Sequence, residues 1–254
     1  MPRFFVRKEQ VENGFVTVYG DDAHHISRSL RMAAGEHITV CDMQKYEYEC
    51  ELTDFLPDCV KARVLEQVKC DTEPPYHAHL YQALPKGDKL DQVIQKAVEC
   101  GVSEITTFES ERCIVRLKGE GEGKKVERRS RIALEAAKQS GRGIIPEVHP
   151  SMLFADAIKA AARADIALFC YEGDGTSSLA EALPMRLEAL RAEGRLTEVP
   201  TVSIVIGSEG GFSIAEVETA KEAGLIPVGL GKRILRTETA ATFVLACLVY
   251  EMEL

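Results

Sequence analysis

Features that define several common protein classes are missing from this sequence of 254 residues. No apolar run reaches the roughly 18 residues that a membrane-spanning helix needs. The first residues, MPRFFVRK, also lack the apolar core of a signal peptide. The cytoplasm is therefore the expected location, and no association with a membrane is predicted.

Metal-binding and nucleotide-binding signatures are absent as well. The eight cysteines include no Cys-x-x-Cys pair, and no cluster of histidines in the sequence completes a metal site. We therefore interpret the cysteines as reduced, mostly buried thiols, and predict no metal. The sequence also has no G-x-x-x-x-G-K-S/T and no G-x-G-x-x-G after a strand, which argues against triphosphate and dinucleotide binding.

A general excess of basic residues is missing too, because the formal net charge is −9. Such a balance argues against a protein that coats nucleic acid through bulk electrostatics. Between residues 112 and 142, however, ten basic residues stand against four acidic ones. A solvated helix face is the common explanation of such a run, and an RNA-binding surface is the alternative.

The spacing of apolar residues divides the chain into two parts. Residues 1–72 alternate short strand-like runs with turns, which predicts a small β-barrel with one short helix that begins at Asp21 or Asp22. The segment DTEPP that follows is stiff and polar, so we place a domain boundary there. Across residues 73–254, strand patterns alternate with helix patterns, and such βαβ units predict a parallel sheet.

The elements expected in the second part are defined by their apolar periodicity. Strands are predicted at 78–84, 105–108, 166–171 and 203–206, and helices at 90–98, 128–139 and 179–192. A last helix is expected over 238–251. It is apolar on nearly every side, so it must be buried in the core or against another subunit.

The stretch VSIVIGSEGGF, residues 202–212, predicts a strand that turns sharply into a helix. Gly210 and Gly211 allow backbone angles that other residues avoid. Ser213 and Glu216 fit a capping box, so the helix should begin near residue 214. Taken alone, this loop is as compatible with a plain structural turn as with a ligand site.

A second stretch, VGLGKRILRTETA at 228–240, has the same form. A strand end precedes Thr237, which we expect to be the N-cap of the last helix. Three basic residues and one acidic residue lie close together in this turn. Such a dense group of charges beside a glycine loop favours a functional site. We expect the two loops to lie at the carboxyl ends of neighbouring strands, where open α/β sheets bind ligands.

These stretches are similar to those of a known family. IGSEGGFS and LGKRILRTETA resemble motifs of the ribosomal small subunit methyltransferase E family, which belongs to the SPOUT superfamily. Further similar segments are KGDKLDQVIQKAVECGVSEI, ERCIVRL, EAAKQSGR and DDAHHISRSLRMAAGEHITVCD. The resemblance covers nearly the whole chain. One departure is Ser208, where the family pattern usually has proline, and it bears on the rigidity of the loop.

The resemblance implies a reaction, a cofactor and a fold. Members of that family use S-adenosylmethionine to methylate N3 of one uridine in 16S rRNA, either free or within the 30S subunit. The expected fold is a carboxyl-terminal SPOUT-type parallel sheet with helices on both faces and a trefoil knot, preceded by a PUA-like β-barrel that binds RNA. A homodimer is also implied. The knot rests on the resemblance alone, since general topology rules disfavour knots.

Predicted roles for single residues complete this hypothesis. Arg236 is expected to offset negative charge on a deprotonated uracil, with Glu209 or Glu238 either orienting it or accepting the proton. An ion pair that ties the two loops together is the structural alternative. The expected cofactor residues, which combine close backbone approach with aliphatic walls, are Ile206, Gly207, Gly210, Gly211, Leu230, Gly231, Ile234, Leu235 and Thr237. The expected RNA contacts are Arg3, Arg7, Arg28, Arg31, Arg112, Arg128, Arg129 and Arg142.

Two other functional classes stay open on the residues alone, and a methyltransferase that acts on another RNA is a further alternative. The chain is also compatible with a small-molecule α/β enzyme that binds phosphate at the helix beginning near Ser213, and then the basic stretch would be dispensable. It is equally compatible with a non-catalytic RNA-binding factor, which would not bind S-adenosylmethionine.

Overall fold

A computed structural model of the chain describes residues 1–117, 121–195 and 199–254. The chain forms two compact units, one of Met1–Glu73 with Ala137–Ile145 and one of Pro74–Ala136 with Pro146–Leu254. No helix within the described residues is long and apolar enough to cross a membrane. Two charged residues of the basic stretch, Lys118 and Glu120, lie outside the described residues.

The first unit contains a six-stranded sheet. Its strands are β1 (Arg3–Phe5), β2 (Val11–Glu12), β3 (Phe15–Tyr19), β4 (His37–Cys41), β5 (Tyr46–Phe55) and β6 (Cys59–Lys69). They are arranged in the order β1-β4-β5-β6-β3-β2, with β1 and β4 parallel and the other pairs antiparallel. Helix α1 (Gly20–His24) begins beside the expected start and continues into a π-helical turn, whose Ile26 joins the core of the sheet.

The second unit is a seven-stranded sheet in which all pairs are parallel, as the βαβ pattern predicts. Its strands are β7 (His77–Ala83), β8 (Glu104–Glu109), β9 (Glu147–Leu153), β10 (Ile166–Cys170), β11 (Ser177–Ser178), β12 (Thr201–Ile206) and β13 (Ile226–Gly229). They are arranged in the order β11-β13-β10-β12-β7-β8-β9. The order places β7, the first strand of the unit, between β12 and β8.

Helices pack on both faces of this sheet. They are α2 (Lys89–Glu99), α3 (Glu122–Ser140), α4 (Phe154–Ala161), α5 (Leu179–Ala192), α6 (Ile214–Glu222) and α7 (Thr237–Met252). Ser203 Oγ donates to the Ala161 carbonyl of α4 at 2.8 Å, and Gln82 Nε2 donates to Thr237 Oγ1 of α7 at 2.8 Å. Because Ser203 pairs with His79 and side chains alternate along a strand, Gln82 faces the opposite side from Ser203.

Four elements were missed by the sequence pattern, the two-residue strands β2 and β11, strand β9 and helix α4. Strand β9 contains Pro150, and a proline argues against a central strand. The structure places β9 at the edge of the sheet, where a missing backbone N–H is tolerated. Helix α3 also begins earlier than predicted, at Glu122, and α5 continues through Pro184.

The last helix is buried on one side only. Helix α7 packs against α2 and β12 through residues such as Val244 and Leu248, which are fully buried. On its other side, Phe243 is 39% and Tyr250 is 75% exposed. The core of a single chain therefore covers only part of this apolar helix.

All eight cysteines are free. Cys41, Cys50 and Cys113 are buried and the other five are partly exposed. The prediction of unpaired thiols is confirmed, whereas the prediction that most of them are buried is wrong.

Candidate active site

A cavity of about 870 Å³ opens at the carboxyl ends of three strands of the second unit, β10, β12 and β13. The loops that follow these strands line it. The cavity brings together most of the expected cofactor residues, namely Ile206, Gly207, Gly210, Gly211, Leu230, Ile234, Leu235 and Thr237. Gly231 belongs to the same turn, with φ +99°, but is not among the lining residues.

The two glycine loops do not follow neighbouring strands, which corrects the expectation from the sequence. Strand β10 lies between β12 and β13. The end of β10 and the segment after it therefore also line the cavity, through Cys170, Tyr171, Glu172 and Gly173. Sequence reasoning missed these residues as part of the site, although a polar glycine-containing loop directly after an apolar strand was the available signal.

Thr237 joins the two loops and does not cap the last helix. The N-cap position of α7 is Arg236, and Thr237 is the first helical residue, so the predicted cap is wrong. The Thr237 hydroxyl donates to the Gly207 carbonyl at 2.6 Å and accepts from Gln82 Nε2 at 2.8 Å. These bonds fasten the end of β12 to the start of α7.

The loop after β12 needs its glycines because the backbone is closely packed. A Cβ atom on Gly210 would lie 2.9 Å from Cβ and 3.0 Å from the carbonyl oxygen of Arg112. Gly211 has φ +63°, a conformation that residues with a side chain rarely adopt. Substitution at Gly210 would therefore push the loop away from Arg112.

The predicted capping box is present and holds the carboxyl end of this loop, where α6 begins. Ser213 Oγ accepts from the Glu216 backbone N–H at 3.3 Å, and Glu216 Oε2 accepts from the Ser213 N–H at 2.9 Å. The preceding residue, Phe212, is buried, and its ring centroid lies 4.3 Å from that of Phe169. The loop is held at both ends, by the Thr237 bonds and by this box.

Arg236 is the basic residue most directly available to a ligand. It lines the cavity and is exposed. Its guanidinium makes no hydrogen bond or ion pair with any residue in the described part of the chain. The structural alternative, an ion pair between Arg236 and a glutamate of the loops, is therefore not formed.

Each of the two glutamates has a different environment. Glu209 Oε1 accepts from Lys89 Nζ at 2.8 Å and from the Lys86 N–H at 3.2 Å. Burial favours its neutral form, but these hydrogen bonds outweigh that effect and hold the pKa of Glu209 below its ordinary value. Glu238 does not line the cavity, and its buried Oε2 has no hydrogen-bond partner among the described residues. Glu209 therefore lines the cavity but is paired with Lys89, whereas Glu238 lies outside the lining.

Three of the predicted RNA contacts are instead engaged within their own units, which corrects those assignments. Arg129 is 6% exposed, and its Nη1 lies 3.2 Å from Glu122 Oε1 and 3.1 Å from Ser151 Oγ. Arg142 is 4% exposed and forms a two-pronged ion pair with Glu73 at 2.9 and 2.6 Å. A buried guanidinium with these partners cannot reach a phosphate.

Arg3 is similarly engaged, although it is not fully buried. Its Nη1 lies 2.8 Å from Glu47 Oε2 and 2.9 Å from Cys41 Sγ. Burial opposes its charge, yet contacts with Cys41 and Glu47 raise the pKa of Arg3. A phosphate contact by Arg3 would require these interactions to break.

The remaining predicted RNA contacts are exposed. Arg7, Arg28 and Arg31 form no ion pair with the residues that the structure describes. Arg128 pairs with Asp91, and Arg112 donates to the Gly210 carbonyl at 3.2 Å beside the cavity. These five arginines stay candidates for RNA binding.

The cavity fits the expected cofactor by the chemistry of its walls. Ile206, Leu230 and Leu235 offer apolar surface of the kind that encloses an adenine ring. The buried Ser208 hydroxyl in the same wall has no hydrogen-bond partner within the described ranges, and such groups are rare in folded proteins. A bound molecule that hydrogen-bonds to Ser208 would satisfy it.

Comparison with known proteins gives consistent matches over nearly the whole chain. A model described as the RNA methyltransferase domain matches residues 72–249, and one described as the RNA methyltransferase PUA domain matches residues 18–55. The chain is 34% identical to Ribosomal RNA small subunit methyltransferase E of Bacillus subtilis, covering 100% of this chain and 98% of that protein. It is 31% identical to the protein of the same name from Aquifex aeolicus, covering 96% and 98%.

Solved structures agree with these matches. The Ribosomal RNA small subunit methyltransferase E from Neisseria gonorrhoeae, bound to S-adenosyl methionine, superimposes with a TM-score of 0.81 at 30% identity, covering 98% of this chain and 97% of that one. A methyltransferase from Legionella pneumophila in complex with the same cofactor superimposes with a TM-score of 0.81 at 28% identity, with the same coverage.

Proposed function

The chain belongs to the ribosomal RNA small subunit methyltransferase E family, and we propose that it methylates N3 of one uridine in 16S rRNA. It is an S-adenosylmethionine-dependent rRNA methyltransferase. The family name specifies the RNA of the small subunit but not the methylated atom, so N3 of uridine is a proposal that goes further. It is supported by the cavity in which the unpaired guanidinium of Arg236 stands beside two glycine loops.

The cavity offers the cofactor apolar walls and polar groups from its loops. We place the cofactor against Ile206, Leu230 and Leu235, with the Ser208 hydroxyl and the backbone of Gly207 as polar partners. When bound, S-adenosylmethionine supplies a methyl group on a sulfonium sulfur. The Thr237 bonds hold the two loops in one arrangement before the ligand arrives, so little ordering cost is left for binding.

Arg236 stabilises the negative charge that develops on the base. Loss of the N3 proton leaves negative charge shared with the flanking carbonyl oxygens of uracil, and a fixed cation beside the base stabilises it. We assign Glu209 to holding the loop through Lys89, because a carboxylate with a lowered pKa accepts protons poorly. Arg236 is therefore the one residue to which we assign a catalytic role.

We also propose that the protein forms a homodimer, that it acts in the cytoplasm, and that its partner is 16S rRNA or the 30S subunit. The exposed side of α7, with Phe243 and Tyr250, supports an interface, because large apolar side chains of a helix are seldom left in water as a group. Rings at such a surface are effective interface anchors. The trefoil knot stays a prediction from the family resemblance.

Cofactor binding without a metal is the first expected result. Calorimetric titration of the full chain with S-adenosylmethionine should give one binding event per chain, and its affinity should be unchanged in EDTA, because the cavity offers glycines, aliphatic chains and Ser208 to the ligand. Absence of any binding heat would favour the two alternatives, a small-molecule α/β enzyme and a non-catalytic RNA-binding factor. Loss of binding on chelation, restored by zinc or magnesium, would contradict a metal-free site.

RNA affinity should depend on Arg28 and Arg31 in spite of the acidic total charge. Charge reversal of both residues to Glu should weaken binding to 16S rRNA and lower the slope of log affinity against log salt by about one per lost phosphate contact. Cofactor affinity should stay unchanged. Binding measured from low to moderate salt provides the test.

The matched control reverses Arg191 and Arg195, two exposed arginines of the second unit. It changes the net charge by the same amount. If both double variants lose affinity equally, RNA binding depends on the total charge of the protein and not on local contacts at Arg28 and Arg31.

A further inference from the structure

Three side chains that ligate metals come together at the amino-terminal ends of β7, β8 and β9. They are His79, Glu104 and His149, and their ligand atoms all lie within 4.8 Å of one another. Glu104 Oε2 lies 2.5 Å from His149 Nε2 and 3.5 Å from His79 Nδ1. Two imidazole nitrogens and a carboxylate oxygen thus converge on one point.

The outward-facing nitrogen of each histidine has a partner of its own. His79 Nε2 is hydrogen-bonded to Thr106 Oγ1 at 2.7 Å, and His149 Nδ1 lies 3.6 Å from Glu147 Oε1. An outer hydrogen bond orients the ring of a metal-binding histidine, and the His79 contact is such a bond, whereas 3.6 Å at His149 is too long for one. His79 Nδ1 and His149 Nε2 both face Glu104 Oε2, and a bound ion would take the place of the proton between His149 Nε2 and that oxygen.

Glu104 is oriented in the same way. Its second oxygen, Oε1, lies 2.7 Å from His77 Nε2. Hydrogen bonding of Oε1 leaves Oε2 directed to the two histidines. His79 and Glu104 therefore each have an outer hydrogen-bond partner, as the ligands of metal sites usually do.

We propose that His79, Glu104 and His149 bind one divalent transition-metal ion, with zinc as the best match. Two histidine nitrogens and one carboxylate oxygen suit zinc, whereas magnesium and calcium prefer all-oxygen sites. The side chains of His79, Glu104 and His149 keep 18, 28 and 27% of their surface exposed, so water can supply the fourth ligand. This proposal departs from the expectation of no metal.

The proposed ion serves the sheet and not the methyl transfer. The cluster lies at the amino ends of its strands, whereas the cavity lies at the carboxyl ends of β10, β12 and β13 in the same parallel sheet. An ion held from three adjacent strands would fasten the edge strand β9 to β8 and β7. The expected consequence is stabilisation of the fold by mass action.

The test uses the full, tag-free chain after removal of metals with EDTA. Titration with zinc chloride should show one ion bound per chain, and zinc should raise the thermal midpoint. His79→Gln and His149→Gln should each weaken zinc binding by about 100-fold or more, because loss of an outer partner alone costs about 10- to 100-fold. Cobalt(II) bound to the unchanged chain should show the visible absorption of a four-coordinate ion.

The control is His37→Gln in the first unit. His37 Nδ1 lies 3.0 Å from Glu49 Oε1, so it forms a similar histidine–glutamate pair without a second imidazole. Zinc affinity should be unchanged in this variant. No saturable binding by the unchanged chain, or equal binding by all variants, would show that the cluster is only a hydrogen-bond network and overturn the proposal.

Discussion

Replacing Arg236 with Ala is expected to lower the rate of methyl transfer by about 10²-fold or more, as loss of one preorganised charge-stabilising group typically does. The guanidinium lines the cavity, is exposed, and is free of ion pairs among the described residues. Its interaction with a deprotonated uracil develops in the transition state, so the rate should fall much more than the affinity for substrate. Cofactor affinity should change by less than about tenfold.

Single-turnover rates at saturating RNA and S-adenosylmethionine measure this effect. Arg236→Lys should recover only part of the rate, because an ammonium group lacks the planar fork of arginine. The matched control is Arg233→Ala, an exposed arginine of the same turn that does not line the cavity, and its rate should stay near that of the unchanged chain. Near-normal turnover by Arg236→Ala would exclude the catalytic assignment.

The second large effect is expected on the stability of the fold, when Arg129 is replaced. Arg129→Ala should lower the free energy of unfolding by about 3 kcal/mol, because removal of one partner of a buried ion pair leaves the other uncompensated. The side chain of Arg129 is 7% exposed, and Glu122, Ser151 and Thr107 all contact its Nη1. Thermal unfolding should shift downward by roughly 6 °C or more.

Arg128→Ala is the control for this prediction. Arg128 is the adjacent residue on α3 and pairs with Asp91, but its side chain is 61% exposed. Exposed ion pairs contribute about 1 kcal/mol or less, so its loss should be hard to detect. If Arg129→Ala instead reduced RNA affinity and left thermal unfolding unchanged, the original assignment of Arg129 to RNA would be correct.

Acid should reveal the same ion pair. Burial opposes ionisation of Glu122, but hydrogen bonds from Ser151 and the charge of Arg129 outweigh it and hold the pKa of Glu122 below the ordinary value of 4.5. A carboxylate with a depressed folded pKa contributes stability above its unfolded pKa, and loses it as the pH falls through the folded pKa. The difference in stability between the unchanged chain and Arg129→Ala should therefore shrink below about pH 4.

The local features of this protein were determined by the sequence alone. The capping box of Ser213 and Glu216 and the amphipathic helix α2 with its terminal Gly101 depend on residues a few positions apart. The parallel sheet was also predictable from the sequence, because alternating strand and helix patterns leave few other ways to bury their apolar sides. The cavity residues after β12 and β13 were predictable because each loop carries its glycines within one short stretch.

Other features were decided by the tertiary structure, because they depend on strand order and on contacts between distant parts of the chain. The position of β10 between β12 and β13 brought Tyr171 into the cavity, and the approach of Gly207 gave Thr237 its role. Burial of Arg129 against Glu122 follows from packing and not from the charge of the stretch. The cluster of His79 and its partners exists only because three parallel strands align their amino ends in register, and no spacing along the sequence encodes that alignment.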